Sequence, residues 1–218
     1  ASHINLYEDP SSGHLFALRN VNTIYTGRQF ASGRPNPWFC KFPKSIPVDF
    51  VAFDPKGNCW VKSSNREVCR IDAWSKDYTC FDAPGYGLWA TLDGRLLALS
   101  EKGLHVFDME KKTTRLFAFD QALSRRHQMF QRQNLFYESC DGTLWIFAYE
   151  GLLRAIRSGE GYRYEHFFNN PANRASLSNN VVMSAIEDPV APQRYLWVGT
   201  KGGGLNRLDL QTGKFRHF

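Results

Sequence analysis

The sequence predicts an all-β chain, a β-propeller of four-stranded antiparallel blades with about five blades in 218 residues. Three observations predict it. A short apolar phrase recurs five times at blade-like intervals, Asp and Gly cluster just ahead of its copies, and aromatic residues reach 15%, a content that suits strands. The five copies are GHLFAL (Gly13–Leu18), GNCWVK (Gly57–Lys62), GRLLAL (Gly94–Leu99), GTLWIF (Gly142–Phe147) and RYLWVG (Arg194–Gly199). Their anchors Phe16, Trp60, Leu97, Trp145 and Trp197 are 44, 37, 48 and 52 residues apart.

In the first four copies a Gly stands three residues before the anchor, with Asp9, Asp54, Asp93 or Asp141 shortly ahead of it. In the fifth, Asp188 precedes a longer PVAPQR connection. Asp and Gly tolerate the backbone angles that reverse one strand into the next. A further strand precedes each of the last four anchors: VDFVAF, GLWATL, NLFYES and VVMSAI. A third strand follows it, EVCRID, GLHVFD, GLLRAI or GLNRLD, and then a fourth that ends in Phe81, Phe119, Phe168 or Phe218. The first unit, from His3 to about Phe30, is the least regular. Polar stretches at Ala31–Pro47, Ala83–Tyr86, Asp120–Gln133 and Asn169–Asn180 separate the units, and Gln121–Gln133 has room for a short helical turn. Blades are expected at 1–47, 48–85, 86–133, 134–178 and 179–218. The glycines around Gly199 and Gly202–Gly204 fall at the hairpin between second and third strands, where positive φ and close approach favour glycine. They lack the spacing and the Lys-Ser/Thr ending of a phosphate-binding loop.

Composition narrows the functional classes. The 43% hydrophobic and 22% charged content is that of an ordinary globular chain, and no apolar run reaches the length of a membrane span. Direct membrane contact is not expected of this segment. The charge of +6 is spread along the chain apart from Arg125, Arg126, His127 and Arg132. With no RNA- or DNA-binding signature beside it, that cluster reads as a solvated loop, and no nucleic-acid partner is expected. Five cysteines include no Cys-x-x-Cys pair, so neither zinc nor thioredoxin-like chemistry is indicated. Cys69 and Cys80 fall on neighbouring strands. A cross-strand disulfide is open to them, but small buried apolar side chains are the simpler reading. The six histidines show no metal spacing, and no Gly-x-Ser-x-Gly elbow occurs. No catalytic residue, metal or cofactor is therefore assigned.

The stretch LSNNVVMSAIEDPVAPQRYLWVGTKGGGLNRLDLQTGKFRHF, Leu177 to Phe218, resembles the two-component regulator propeller repeat. That repeat runs Leu-Ser-x-Asn, Val, acidic-Asp, Leu-Trp-Ile/Val-Gly-Thr, Gly-Gly-Leu-x-Arg, Asp, Thr-Gly-x-Phe. DGTLWIFAYEGLLR (Asp141–Arg154) matches it in part. DPKGNCWVKSSNREVCRID keeps the Trp and Arg-x-Asp without the Gly-Thr, and DGRLLALSEKGLHVFD has Leu for the Trp. The resemblance implies the extracytoplasmic sensor of a hybrid two-component system of the Bacteroidetes type. It would be periplasmic, attached to an inner-membrane histidine kinase and response regulator, and would detect glycan fragments that induce polysaccharide-utilisation genes. The implied partners are an oligosaccharide ligand, further propeller blades, an immunoglobulin-like domain and, through an exposed blade face, a second copy. Because the family builds larger propellers, the chain is expected to be part of one.

If strands alternate in direction within a blade, loops between second and third strands share a rim with the loops joining blades. That rim would carry Arg66, Glu101, Lys102, Tyr149, Glu150 and Lys201, with Arg125, Arg126, His127 and Arg132. An aromatic platform with polar neighbours suits a sugar, and arginines suit an acidic one. Tyr149, Arg125, Arg126, His127, Arg132, Arg66, Glu150 and Lys201 are the candidate ligand contacts. The alternative is a propeller enzyme of the streptogramin-lyase or glycan-cleaving type, with His127 as its catalytic histidine.

Overall fold

The computed structural model describes residues 4–8, 15–19, 23–26, 38–41, 48–53, 58–63, 67–71, 78–108, 111, 113–119, 136–148 and 150–218. Among these there is no helix, and hence none long and apolar enough to cross a membrane. Among the described residues twenty strands form five four-stranded antiparallel sheets. Each is a meander in chain order. Sheet 1 holds β1 (Ile4–Glu8), β2 (Leu15–Arg19), β3 (Thr23–Thr26) and β4 (Trp38–Lys41). Sheet 2 holds β5 (Val48–Phe53), β6 (Cys59–Ser63), β7 (Glu67–Ile71) and β8 (Tyr78–Asp82). Sheet 3 holds β9 (Tyr86–Ala90), β10 (Leu96–Ser100), β11 (Gly103–Asp108) and β12 (Thr113–Ala118). Sheet 4 holds β13 (Phe136–Glu138), β14 (Leu144–Ala148), β15 (Gly151–Ser158) and β16 (Gly161–Phe167). Sheet 5 holds β17 (Val182–Glu187), β18 (Tyr195–Thr200), β19 (Gly204–Asp209) and β20 (Lys214–His217).

The anchors Phe16, Trp60, Leu97, Trp145 and Trp197 all lie on the second strand of their sheet. In three sheets the Trp faces an Arg on the third strand: Trp60 opposite Arg70, Trp145 opposite Arg154, Trp197 opposite Arg207. The guanidinium carbon sits 5.4–5.9 Å from the indole centre in each, a cation–π spacing. Sheet 3 has Leu97 instead, and its indole comes from the first strand, where Trp89 pairs with Leu97.

Two sequence expectations are corrected. The stretch Ala31–Pro47, read as a polar separator, contains β4, which pairs Tyr25 with Trp38 and Ile24 with Cys40. Four residues flanked by Pro37 and Pro43 carry too little pattern to read as a strand, but an outermost strand tolerates nearby prolines because one of its sides is unpaired. Cys69 and Cys80, read as small buried apolar residues, form a disulfide. They sit directly opposite each other on β7 and β8, so register alone brings the two thiols together. Cys59 is a buried thiol and Cys140 an exposed one. The helical turn considered at Gln121–Gln133 lies outside the described residues.

The chain forms two compact units, residues 1–100 with 104–116, and residues 101–103 with 117–218. In the first, Val48, Val51, Phe53, Cys59, Val61, Cys69 and Ile71 form one core cluster. Trp60 and Val68 pack with Leu88, Leu96, Ala98 and Phe107 in another. In the second, Trp145, Phe147 and Leu152 of sheet 4 pack on Val182, Leu196, Val198, Leu208 and Phe215 of sheet 5. Every side chain described on β14 is buried, as for a strand covered on both faces, whereas burial on β18 alternates.

Candidate functional site

Within a sheet the turn after the second strand lies at the same end as the exit of the fourth, and the hydrogen bonds display this junction in each unit. In sheet 2, Lys62 at the end of β6 is buried and donates its ammonium to the Ala83 carbonyl beyond β8 (2.8 Å). Glu101 and Lys102 form the β10–β11 turn, and the Lys102 carbonyl accepts from Phe119 N–H beyond β12 (2.9 Å). In sheet 4 the His166 Nε2–H of β16 donates to the Glu150 carbonyl (2.7 Å). Gly151 beside it has a φ of 122°, and a Cβ there would run into the Phe167 carbonyl. Glycine is obligatory where the backbones approach so closely.

Sheet 5 has the most completely described junction. The segment 168–181 crosses from sheet 4 to sheet 5 and is held by its own amides. Asn180 Oδ1 accepts from Asn169 N–H (2.6 Å), and Asn169 Nδ2 donates to the carbonyls of Leu177 (2.7 Å) and Ser178 (3.2 Å). The buried Asn206 accepts from Ser178 N–H through Oδ1 (3.0 Å). The Ser178 hydroxyl donates to the Gly203 carbonyl (2.8 Å), and Lys201 N–H to the Val181 carbonyl (2.8 Å). A Cβ on Gly203 would stand 2.5–2.7 Å from Ser178 Oγ, Asn179 Cβ and Thr200 Oγ1. The Leu-Ser-x-Asn phrase and the Gly-Gly turn thus interlock. Read as a separator in the sequence, 169–180 is an ordered clamp, and its signal was the density of Asn and Ser, the residues that bond neighbouring backbone.

Of the candidate ligand contacts, Glu150 lies exposed on the β14–β15 turn and Lys201 exposed on the β18–β19 turn, with no hydrogen bond or ion pair between them. Tyr149, Arg125, Arg126, His127, Arg132 and Arg66 lie outside the described residues. Sequence reasoning missed one rim feature. His166 and Phe168 pack with ring centres 5.2 Å apart, and Phe168 is 41% exposed at the start of the crossing segment. The doubled Phe167-Phe168 ending was its trace: Phe167 turns inward onto Trp145 and Phe215 while Phe168 turns out.

Acid–base chemistry finds little here. His105 Nε2 meets Ser100 Oγ (2.8 Å), and His217 Nε2–H donates to the Ser176 carbonyl (2.8 Å). Burial, with Lys62 nearby, holds the His105 imidazole below its ordinary value. Asp188 accepts from Val190 N–H and Ala191 N–H through Oδ1 and from Trp197 Nε1–H through Oδ2. Those bonds, that of Val190 first, keep its carboxyl below the usual range. Asp209 caps the next turn through Gln211 and Thr212 N–H and pairs with Arg194 (2.7 Å). These carboxylates fix turns and orient a Trp. Among the described residues no group of three or more His, Cys, Asp or Glu could hold a metal ion.

No protein-family model matches the sequence, and it matches no curated protein. Solved structures do share its fold. The extracellular domain of the hybrid two component system BT4673 from B. thetaiotaomicron is 19% identical with a TM-score of 0.64, covering 100% of this chain and 28% of that one. That of BT3049 from the same organism is 15% identical with a TM-score of 0.64, covering 99% and 28%. Virginiamycin B lyase from Staphylococcus aureus is 14% identical, also with a TM-score of 0.64, covering 98% and 68%. The chain therefore spans little more than a quarter of the length of the extracellular domains it resembles. At these identities the likeness establishes the fold: the sheets are propeller-type sheets, of the kind found in extracellular domains of hybrid two-component systems.

Proposed function

We propose that this chain is a non-catalytic, ligand-sensing propeller segment of a membrane-bound hybrid histidine kinase and response regulator. It acts outside the cytoplasm, in the periplasm, and detects a glycan fragment that induces polysaccharide-utilisation genes. Its partners are an oligosaccharide, acidic where the rim arginines meet it, and the remaining blades and immunoglobulin-like domain of the full-length protein. The observation that carries this reading is the fold match along the whole chain to extracellular domains of two such systems. The Cys69–Cys80 disulfide supports the location independently, because such bonds persist in oxidising compartments such as the periplasm. The ligand would meet the rim at Tyr149, Glu150, Arg66 and Lys201 and the loop of Arg125, Arg126, His127 and Arg132.

The lyase fold match supports a second reading, a propeller enzyme of the streptogramin-lyase or glycan-cleaving type. Calorimetric titration of the chain with neutral and uronate-bearing oligosaccharides, run beside product analysis, separates the two. Sensing predicts binding heat without product, and an affinity loss of about tenfold for Tyr149→Ala, as for one lost contact of ~1.4 kcal/mol. Product formation abolished by His127→Ala would overturn it.

A further inference from the structure

One face of β16 and its exit carries a row of rings. Side chains alternate along a strand, so Tyr162, Tyr164, His166 and Phe168 share a side while Phe167 turns to the other, onto Trp145 and Phe215. Tyr162 and Tyr164 stack with centres 6.5 Å apart. Phe117 meets Tyr162 edge-on at 5.5 Å, and Phe119 meets Tyr164 at 4.9 Å. The Tyr164 hydroxyl donates to the Phe117 carbonyl (3.0 Å). These rungs are closed, and Phe119 is 7% exposed. His166 and Phe168 continue the row toward the rim, 5.2 Å apart, and there Phe168 is 41% exposed.

The rim end of this row is held in place from two sides. His166 Nε2–H donates to the Glu150 carbonyl (2.7 Å), which pins the imidazole behind Phe168 to the β14–β15 turn. Asn169, the next residue, donates its N–H to Asn180 Oδ1 (2.6 Å) and its Nδ2 to the carbonyls of Leu177 and Ser178. Leu152 pairs with Phe167, so the register carried one step further sets Gly151 opposite Phe168. With a φ of 122° that glycine adds no side chain over the ring. Glu150, on the same turn, is exposed. A lone exposed ring needs no explanation. This one ends an aromatic ladder, is immobilised from behind and has a carboxylate on the adjoining turn.

Resting on the reading of this chain as a glycan sensor, we propose that Phe168 is the stacking platform for an uncharged pyranose unit, with Glu150 accepting hydrogen bonds from its hydroxyls. The apolar C–H face of a pyranose fits an aromatic ring whose margin is wet, and a few fixed polar groups then orient it. Carboxylate acceptors make the stronger, charge-assisted hydrogen bonds to such hydroxyls. The same negative charge selects the class of sugar. A uronate or sulfated unit lying on Phe168 would meet Glu150 as a like charge, so the acidic units of a ligand belong elsewhere on the rim.

The test is magnetic resonance of the chain with isotope-labelled phenylalanine rings and backbone amides, titrated with methyl glycosides of glucose, galactose and mannose and with methyl glucuronide. The Phe168 ring, with the amides of Glu150, Gly151 and Asn169, is expected to shift with at least one neutral glycoside. Methyl glucuronide should need about tenfold more sugar for the same shift, the size of one unfavourable charge contact. Phe168→Ala should weaken neutral binding about tenfold, read from the amides, whereas Phe168→Trp, which keeps a ring, should preserve it. Glu150→Gln should abolish the preference against glucuronide. A Phe168 ring that stays still while amides elsewhere on the rim shift would overturn the platform and leave the glycan reading standing. Equal binding of glucoside and glucuronide by the wild type would overturn the choice of an uncharged unit. No shift anywhere with any of these sugars would overturn both the platform and the glycan reading.

Discussion

Trp145 and Trp197 occupy one position in two copies of one repeat, yet their surroundings differ. Trp145 is fully buried, with Arg154 over its ring, Phe167 tilted against it at 6.1 Å between ring centres and its Nε1–H on Ser139 Oγ (2.9 Å). Trp197 is half-buried under Arg207, with its Nε1–H on Asp188 (2.8 Å). The local apparatus of strand, opposed arginine and indole acceptor is the same. What differs is whether another sheet lies on top, so the repeat encodes the side chain's posture and its neighbour decides its burial.

The sharpest way to break this comparison is to truncate both indoles. Trp145→Ala should cost about 3–5 kcal/mol, the range for emptying a buried aromatic site, while Trp197→Ala should cost less, about 2 kcal/mol, because its indole is only partly covered. Urea denaturation of the two variants checks this, and equal losses would mean that burial does not separate the two positions. Sheet 2 offers a covalent contrast. Removing its bridge with Cys69→Ser should cost about 3 kcal/mol, from the loop closed by a sequence separation of 11. Dithiothreitol should lower the melting temperature of the wild type and not that of the variant.

A smaller effect tests how sheet 5 is pinned over Trp145. Glu187 of β17 accepts from Cys140 N–H (2.9 Å) and, at longer range, from the Tyr137 hydroxyl (3.4 Å), while the Tyr137 oxygen accepts from Glu187 N–H (3.1 Å). Ile186 and Pro189 give the Trp197 face no such donors. Glu187→Ala should therefore cost about 2 kcal/mol, the price of leaving a backbone N–H and a hydroxyl partly unsatisfied. It should also speed alkylation of Cys140, because desolvation and the adjacent Glu187 carboxylate hold that thiol above its ordinary value.

The smallest expected effect is a pH dependence outside this interface. His105 has its folded-state value lowered by burial and then by Lys62, so the unfolded chain takes up the proton first as pH falls. Stability from this group is present above the ordinary histidine value of about 6.5 and declines as pH drops below it toward the folded-state value. Melting temperatures at pH 7.5 and 5.0 should diverge less in His105→Gln than in the wild type.

Much of this was legible in the sequence because blades are local. β5, β11 and β19 follow VDFVAF, GLHVFD and GLNRLD to the residue, since alternating side chains bounded by Asp and Gly admit few other arrangements. β4 was not legible: four residues among prolines become a strand only when β3 presents an edge. The disulfide was half legible, since adjacency of β7 and β8 could be read but opposition of Cys69 to Cys80 depends on register. At the rim, sequence placed Glu150 and Lys201 on turns, but not the outward Phe168 or the Asn169–Asn180 clamp, whose bonds span 11 residues.

By itself the sequence determined the four-stranded units after the first and the turns within them, because these rest on period-2 alternation and on backbone angles set within a few residues. Only the tertiary structure decided that Cys69 meets Cys80, that Glu187 reaches Tyr137 and Cys140, and that Trp145 is sealed while Trp197 stays partly exposed. Those outcomes depend on register and on which sheet lies on which, and contacts between residues about 50 positions apart leave no mark on local pattern.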